Sequence, residues 1–202
     1  MNWHLRINEI NMKILKISLI LLIFAFLSCE KESNESIDQT NHSDEKFVPT
    51  DVLVKVKGYY TIDKVFNFIN SFNHEVENID SQVYISTLPP DSLKYILDYL
   101  NAKSYTNDGS RWFVNGYLHY KTQQITIFPM LFQIKKKEYQ RDWLLSMVKL
   151  KLSEDTNSLT DGCIIFFHVP EGTEKEWEKR FEAFDFVEWA ELNYYVELNP
   201  WP

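Results

Sequence analysis

The chain has 202 residues, 45% of them hydrophobic and 15% aromatic, enough for one globular domain with a continuous core. A formal net charge of −8 argues against a nucleic-acid partner, whose binding draws on a basic face, and five glycines with seven prolines exclude a fibrous or low-complexity chain. Two cysteines, Cys29 and Cys163, are too few for a disulfide framework.

Taken in order, the first feature is a basic opening, Met12-Lys13-Ile14-Leu15-Lys16, followed by an apolar run over residues 17–27 broken only by Ser18. This fits a secretory signal, and the run falls short of the roughly 20 residues that cross a hydrocarbon layer. Glu9 suits the start of such a signal poorly, so Met12 is the expected initiator. Phe26-Leu27-Ser28-Cys29 resembles a bacterial lipobox, with Phe26 where leucine is most usual. The resemblance implies that residues 1–28 are removed as a signal peptide and that Cys29 carries a diacylglyceryl group, with palmitate-type chains. The product is a lipoprotein held to a membrane of the bacterial cell envelope, with the outer membrane expected and its face left open. An ordinary secreted protein and an uncleaved anchor are the alternatives. Residues 29–46 read as a disordered acidic tether: 30–46 carry six acids against two lysines, with Ile37 as the lone aliphatic. Glu30-Lys31-Glu32 loosely resembles the acid-rich signals that send some lipoproteins to the cell surface; a plain charged linker explains it equally.

Residues 47–202 read as a single α+β domain. Val52, Val54 and Val56 alternate with Leu53, Lys55 and Lys57, as in a half-buried strand ended by Gly58. Thr61 is a candidate cap for a helix whose stripe is Ile62, Val65, Phe66, Ile69 and Phe72. Ile79, Val83 and Ile85 share one face of a return strand. Leu88-Pro89-Pro90-Asp91 opens a second helix, with Leu93, Ile96, Leu97 and Leu100 inward. After a loop at 106–110, strands are expected over 112–120 and 124–131, Pro129 placing the second at an edge or bend. Tyr139, Trp143, Leu144, Met147 and Leu150 form a third helical stripe, and 153–161 reads as a polar loop. Residues 164–167 are apolar on both faces, which places a strand centrally in the sheet. Thr173-Glu174-Lys175-Glu176 reads as a capping box for a helix burying Trp177, Phe181 and Phe184. In the last strand Ala190, Leu192, Tyr194, Val196 and Leu198 share one face, and Trp189, Glu191, Asn193, Tyr195 and Glu197 the other.

The stretches 51–86 and 162–198 both read strand, helix, strand. With Val76 set on Val187, the second strands run Val-Glu-Asn-Ile-Asp-Ser-Gln-Val-Tyr-Ile and Val-Glu-Trp-Ala-Glu-Leu-Asn-Tyr-Tyr-Val, so one β-α-β unit is used twice. Two such units most simply build a ferredoxin-like split β-α-β plan: an antiparallel sheet with both helices on one face. Residues 87–161 are then an insertion adding a hairpin and two helices. Two small modules sharing strands are the alternative.

The sequence offers no Gly-rich phosphate loop, no metal-ligand spacing and no nucleophile elbow, so no catalytic residue, metal or cofactor is assigned and an enzyme is not expected. His74, His119 and His168 stand alone and read as structural or surface residues; Cys163 reads as a small core residue. Asp185, Glu188, Glu191 and Glu197 read as a solvated strand edge. Trp189 and Tyr195, with Glu191 and Asn193 between them, make a surface suited to a protein partner if no layer covers it. Tyr139 and Trp143 of the insertion are the candidates to cover it.

The last unit also resembles the second half of a subtilisin-type protease propeptide. That family closes on Val-Glu-x-Ala-Glu-Pro-Asn-Tyr, matched here by Val187, Glu188, Ala190, Glu191, Asn193 and Tyr194, with Leu192 where proline is usual. The resemblance implies a ferredoxin-like inhibitor or folding chaperone. Its sheet face, here Trp189, Glu191, Asn193 and Tyr195, would pack on the protease. Its tail, here Leu198 to Pro202 and including Trp201, would lie in the cleft as an added strand. The 87–161 insertion has no counterpart in that family. The expected function is thus a cell-envelope binding module with an unidentified partner, a subtilase-like protease being the alternative.

Overall fold

Valines at every second position dictate the first strand. β1 (Phe47–Val56) turns Val52, Val54 and Val56 to one side, fully buried, and leaves Leu53 and Lys55 half-buried on the other. The computed structural model describes residues 46–107, 109, 113–155 and 162–195. Helix α1 (Ile62–Asn70) buries Ile62, Val65, Phe66 and Ile69 at helical spacing. Phe68 is buried as well, its ring meeting those of Phe72, Phe167, Phe181, Phe184 and Phe186 at centroid distances from 4.9 to 6.1 Å. Thr61 stands before the helix but does not cap it with its side chain. Its hydroxyl lies 2.5 Å from Asp63 Oδ1, and the Ile62 amide donates instead to Glu154 Oε1 at 2.7 Å. A carboxylate is the stronger acceptor.

The return strand is not continuous. β2 (Glu75–Asp80) ends where Ser81 takes φ 65°, its amide bound to Asp80 Oδ1 at 2.6 Å. β3 (Tyr84–Ser86) then pairs in a different sheet. A left-handed residue resets the alternation, so Tyr84 is fully buried and Ile85 half-buried, against the face expected for Ile79, Val83 and Ile85.

A 3-10 turn at Pro90–Ser92 leads into α2 (Leu93–Asn101), which buries Ile96 and Leu100. β4 (Asn115–Leu118) and β5 (Ile125–Phe128) form the expected hairpin, shorter than predicted because Pro129, without an amide proton, ends β5. β6 (Leu131–Phe132) then crosses over to pair with β2. Helix α3 (Lys137–Lys149) buries Trp143 as expected, with Leu150 buried just past its end and Tyr139 and Met147 packed against the core; of the expected stripe only Leu144 turns outward, while Gln140 and Ser146 join the buried side. Those polar groups go inward with partners: the Gln140 amide donates to Ile134 O at 2.8 Å and exchanges bonds with Asn70, and Ser146 Oγ donates to Asp142 O at 2.7 Å. β7 (Leu152–Glu154) is a strand where a loop was expected, paired with β3. The segment 87–161 therefore adds most of a second sheet, beyond a hairpin and two helices.

β8 (Cys163–His168), α4 (Glu174–Glu182) and β9 (Val187–Tyr194) form the later strand-helix-strand stretch. Gly162 introduces it at φ 81°, where a Cβ would sit 1.9 Å from Val56 O, so only glycine fits. The expected capping box does not form. Thr173 Oγ1 donates to Pro170 O at 2.6 Å, and buried Glu174 accepts the amides of Thr50 at 2.8 Å and Gly172 at 3.1 Å.

The fold is mixed α+β with two antiparallel sheets, ordered β6-β2-β8-β1-β9 and β4-β5-β3-β7. β8 lies between β1 and β2 and antiparallel to both, and β1 lies between β8 and β9, so the two strand-helix-strand stretches interleave. Aromatic contacts of Phe68 and Phe72 with Phe181 and Trp177 put α1 and α4 on the same face of this first sheet, over Phe167. Trp143 packs on Tyr84, 5.2 Å between rings, and Tyr139 on Tyr105 at 5.1 Å. The residues named to cover the sheet are thus engaged elsewhere, Trp143 with Tyr84 of β3 in the second sheet and Tyr139 with Tyr105. Among the described residues no helix is long and apolar enough to cross a membrane.

Candidate functional site

The face of the first sheet opposite α1 and α4 carries a polar row across four strands. Asp51 on β1 is buried, and its Oδ1 lies 3.1 Å from His168 Nδ1 on β8. Asn193 on β9 donates to Asp51 Oδ2 at 2.9 Å. On the far side His168 Nε2 lies 3.4 Å from Glu77 Oε2 on β2. Asp51 as a carboxylate only accepts, so Nδ1 is the donor in that pair.

Two irregularities aim these carboxylates. β1 slips register against β9 between Phe47 and Val52, and within that bulge Thr50 takes φ 74° immediately before Asp51. β2 slips against β8 between Val76 and Asn78, which leaves Glu77 as the unpaired residue and keeps Val76 and Ile79 both under the helices. A bulge re-aims one side chain without moving the rest of the strand. Both bulges converge on one imidazole.

His168, Glu75 and Glu77 face an open cleft of about 530 Å³, closed on its other side by Phe132, Gln133 and the segment carrying Ser104, Asn107 and Gly109. That volume suits a small ligand or a single side chain of a partner. The segment is pinned: Thr106 Oγ1 donates to Leu100 O, Asn107 Nδ2 to Asn101 O at 2.9 Å, and the Phe132 amide to Tyr105 O at 2.8 Å. Next to the polar row lie half-buried Leu53, Phe166, Ile164 and Trp189, with the Phe166 and His168 rings 5.4 Å apart.

Of the residues proposed from sequence, Trp189, Glu191 and Asn193 alternate outward on β9 as expected: Trp189 and Asn193 half-buried, Glu191 exposed. Tyr195 lies past the end of β9, 57% exposed, its amide bound to Lys46 O. Cys29, Leu198 and Trp201 lie outside the described residues. Sequence spacing isolates His168; the fold gives it two carboxylates. Asp51 and Glu77 were legible only as strand residues, because the bulges that aim them leave no local signature.

Both imidazole nitrogens already face carboxylates, and among the described residues no cluster of His, Cys, Asp and Glu is arranged to hold a metal ion. Burial pushes the Cys163 thiol up to about 12, so it is no nucleophile where it stands. His74 is buried against Trp177, 4.1 Å between rings, and its imidazole is held below the usual range by burial first, then by Lys135 and Arg180. Comparison with known proteins finds no matching family model, curated protein or solved structure.

Proposed function

We propose that this chain is a cell-envelope lipoprotein, attached through Cys29, whose folded part is a non-catalytic binding module. Its recognition site is the cleft at His168. The observation that carries the reading is the pair of bulges that set Glu77 and buried Asp51 on either side of one histidine at the cleft mouth. With Glu75 alongside, the lining is anionic and suits a cationic side chain, lysine or arginine, presented by a protein partner. Phe132 supplies an apolar wall for its methylene stem. Nuclear magnetic resonance shifts on the full chain test this. N-acetyl-lysine amide should move signals of His168 and Gln133, and its norleucine counterpart should not; equal effects of the two would refute it. Mass spectrometry of the N-terminal peptide tests the attachment: an unmodified Cys29 in mature protein removes the anchor.

A second reading, a subtilisin-type protease inhibitor with a ferredoxin-like core, is favoured by the interleaved order β2-β8-β1-β9 with α1 and α4 on one face. The full chain should then slow a subtilisin-like protease at micromolar concentration. No inhibition across several such proteases ends that reading.

A further inference from the structure

The outward side of α3 sets aliphatic side chains among cations. Val148 is 80% exposed, Leu145 58% and Leu144 36%, on the side opposite buried Trp143 and Ser146. Exposed Lys137, Arg141 and Lys149 share that side, and exposed Lys151 follows the helix. Residues 135–151 carry six lysines and arginines against two acids, in a chain of net charge −8. Lys135 is turned inward to Phe72 O at 2.6 Å and to His74 O. Of the acids, Asp142 is held by Lys103 at 2.8 Å and Tyr105 at 2.7 Å, and Glu138 is exposed in the first turn. α2 adds Tyr95, 49% exposed, and Tyr99, whose ring lies 4.0 Å from Lys149 Nζ.

Exposed aliphatics rimmed by long cationic side chains, with tyrosines beside them, match the interface of an anionic bilayer. The aliphatic tips enter at the acyl boundary while the ammonium and guanidinium groups reach lipid phosphates. A second copy of this chain would meet the face with the same positive charge, which opposes self-association through it. We infer that α3 is a membrane-contact face that seats the folded domain on an anionic lipid surface through Leu144, Leu145, Val148 and the surrounding cations. The inference rests on the attachment at Cys29 proposed above to bring the domain to a bilayer.

The test uses the full chain in vesicles of phosphatidylcholine and phosphatidylglycerol, with an environment-sensitive dye on Val148→Cys or, as control, on Lys121→Cys in the exposed β4–β5 turn. Brominated lipid should quench the dye at position 148 several-fold more than at 121, and Arg141→Glu should weaken that contact by about five-fold or more. Equal quenching at both positions, in protein that floats with the vesicles, overturns the inference and leaves the attachment standing. If the protein does not float, the attachment fails. The labelled chain added to excess anionic vesicles then reads α3 alone: a blue shift at 148 upholds the contact face and none overturns it. A shift that follows protein concentration instead of lipid marks self-association and overturns it too.

Discussion

The Glu174 carboxylate accepts the Thr50 amide at 2.8 Å across 124 positions of sequence. It joins the start of α4 to the left-handed residue that precedes Asp51 in β1. Burial pushes this carboxyl up, but the amides of Thr50, Glu174 and Gly172 outweigh burial and hold it below the usual carboxylate range. Glu174→Ala should lower unfolding free energy by about 2 kcal/mol, the worth of charge-assisted bonds to a buried acceptor, and Glu174→Gln by about half that. Because the folded value is depressed, this stabilisation is complete above the ordinary carboxyl range and disappears as pH falls through the folded value. Urea unfolding at neutral and acid pH should therefore show wild type and Glu174→Gln converging in acid.

Glu154 predicts the opposite sign. Burial raises its carboxyl, only partly offset by the Ile62 amide, with Asp63 raising it further and Lys64 lowering it. The protonated form favours folding, so its contribution is present at low pH and lost as pH rises through the raised folded value. Glu154→Gln keeps an acceptor for Ile62 and should match or exceed wild type in stability at neutral pH. Glu154→Leu loses the acceptor and should cost about 1 kcal/mol, read by the same urea curves.

Phe68 is the hub of the aromatic layer between α1, α4 and the sheet. Phe68→Ala should cost about 3–5 kcal/mol by thermal or denaturant unfolding, because five rings lose a packed neighbour at once. Phe184→Ala, at a ring 36% exposed, should cost distinctly less.

Cys163 should resist alkylation in the folded chain. Its side chain is fully buried and its thiol is pushed up to about 12 by burial. In Cys29→Ser protein, iodoacetamide should label it only after denaturant is added; labelling of the native protein at a comparable rate would contradict the packing described for β8.

The central β8 and the outward alternation of Trp189, Glu191 and Asn193 were readable from period, since burial on one face imposes those patterns locally. Gln140 and Ser146 join the buried side of α3 because a polar residue that finds its partners inside looks, in sequence, like a solvent-facing one. Leu144, expected inward, lies outside with Leu145 and Val148, which hid the basic, aliphatic face of α3. Thr61 and Thr173 carried local cap signals, but Glu154, from a distant strand, took the Ile62 amide, and the Thr173 hydroxyl turned back to Pro170 O while its neighbour Glu174 reached across to the Thr50 amide. His168 and Asp51 sit on neighbouring strands 117 residues apart, and only the register of β1 on β8 brings them together.

The central claim is that the cleft at His168 recognises a cationic side chain through the carboxylate that the β2 bulge delivers. The direct measurement is the affinity of N-acetyl-lysine amide for wild type and for Glu77→Gln, with Trp189→Ala as a change elsewhere on the same sheet. Glu77→Gln should lose about ten-fold in affinity, and Trp189→Ala should bind as wild type does. Undiminished binding by Glu77→Gln would contradict the account.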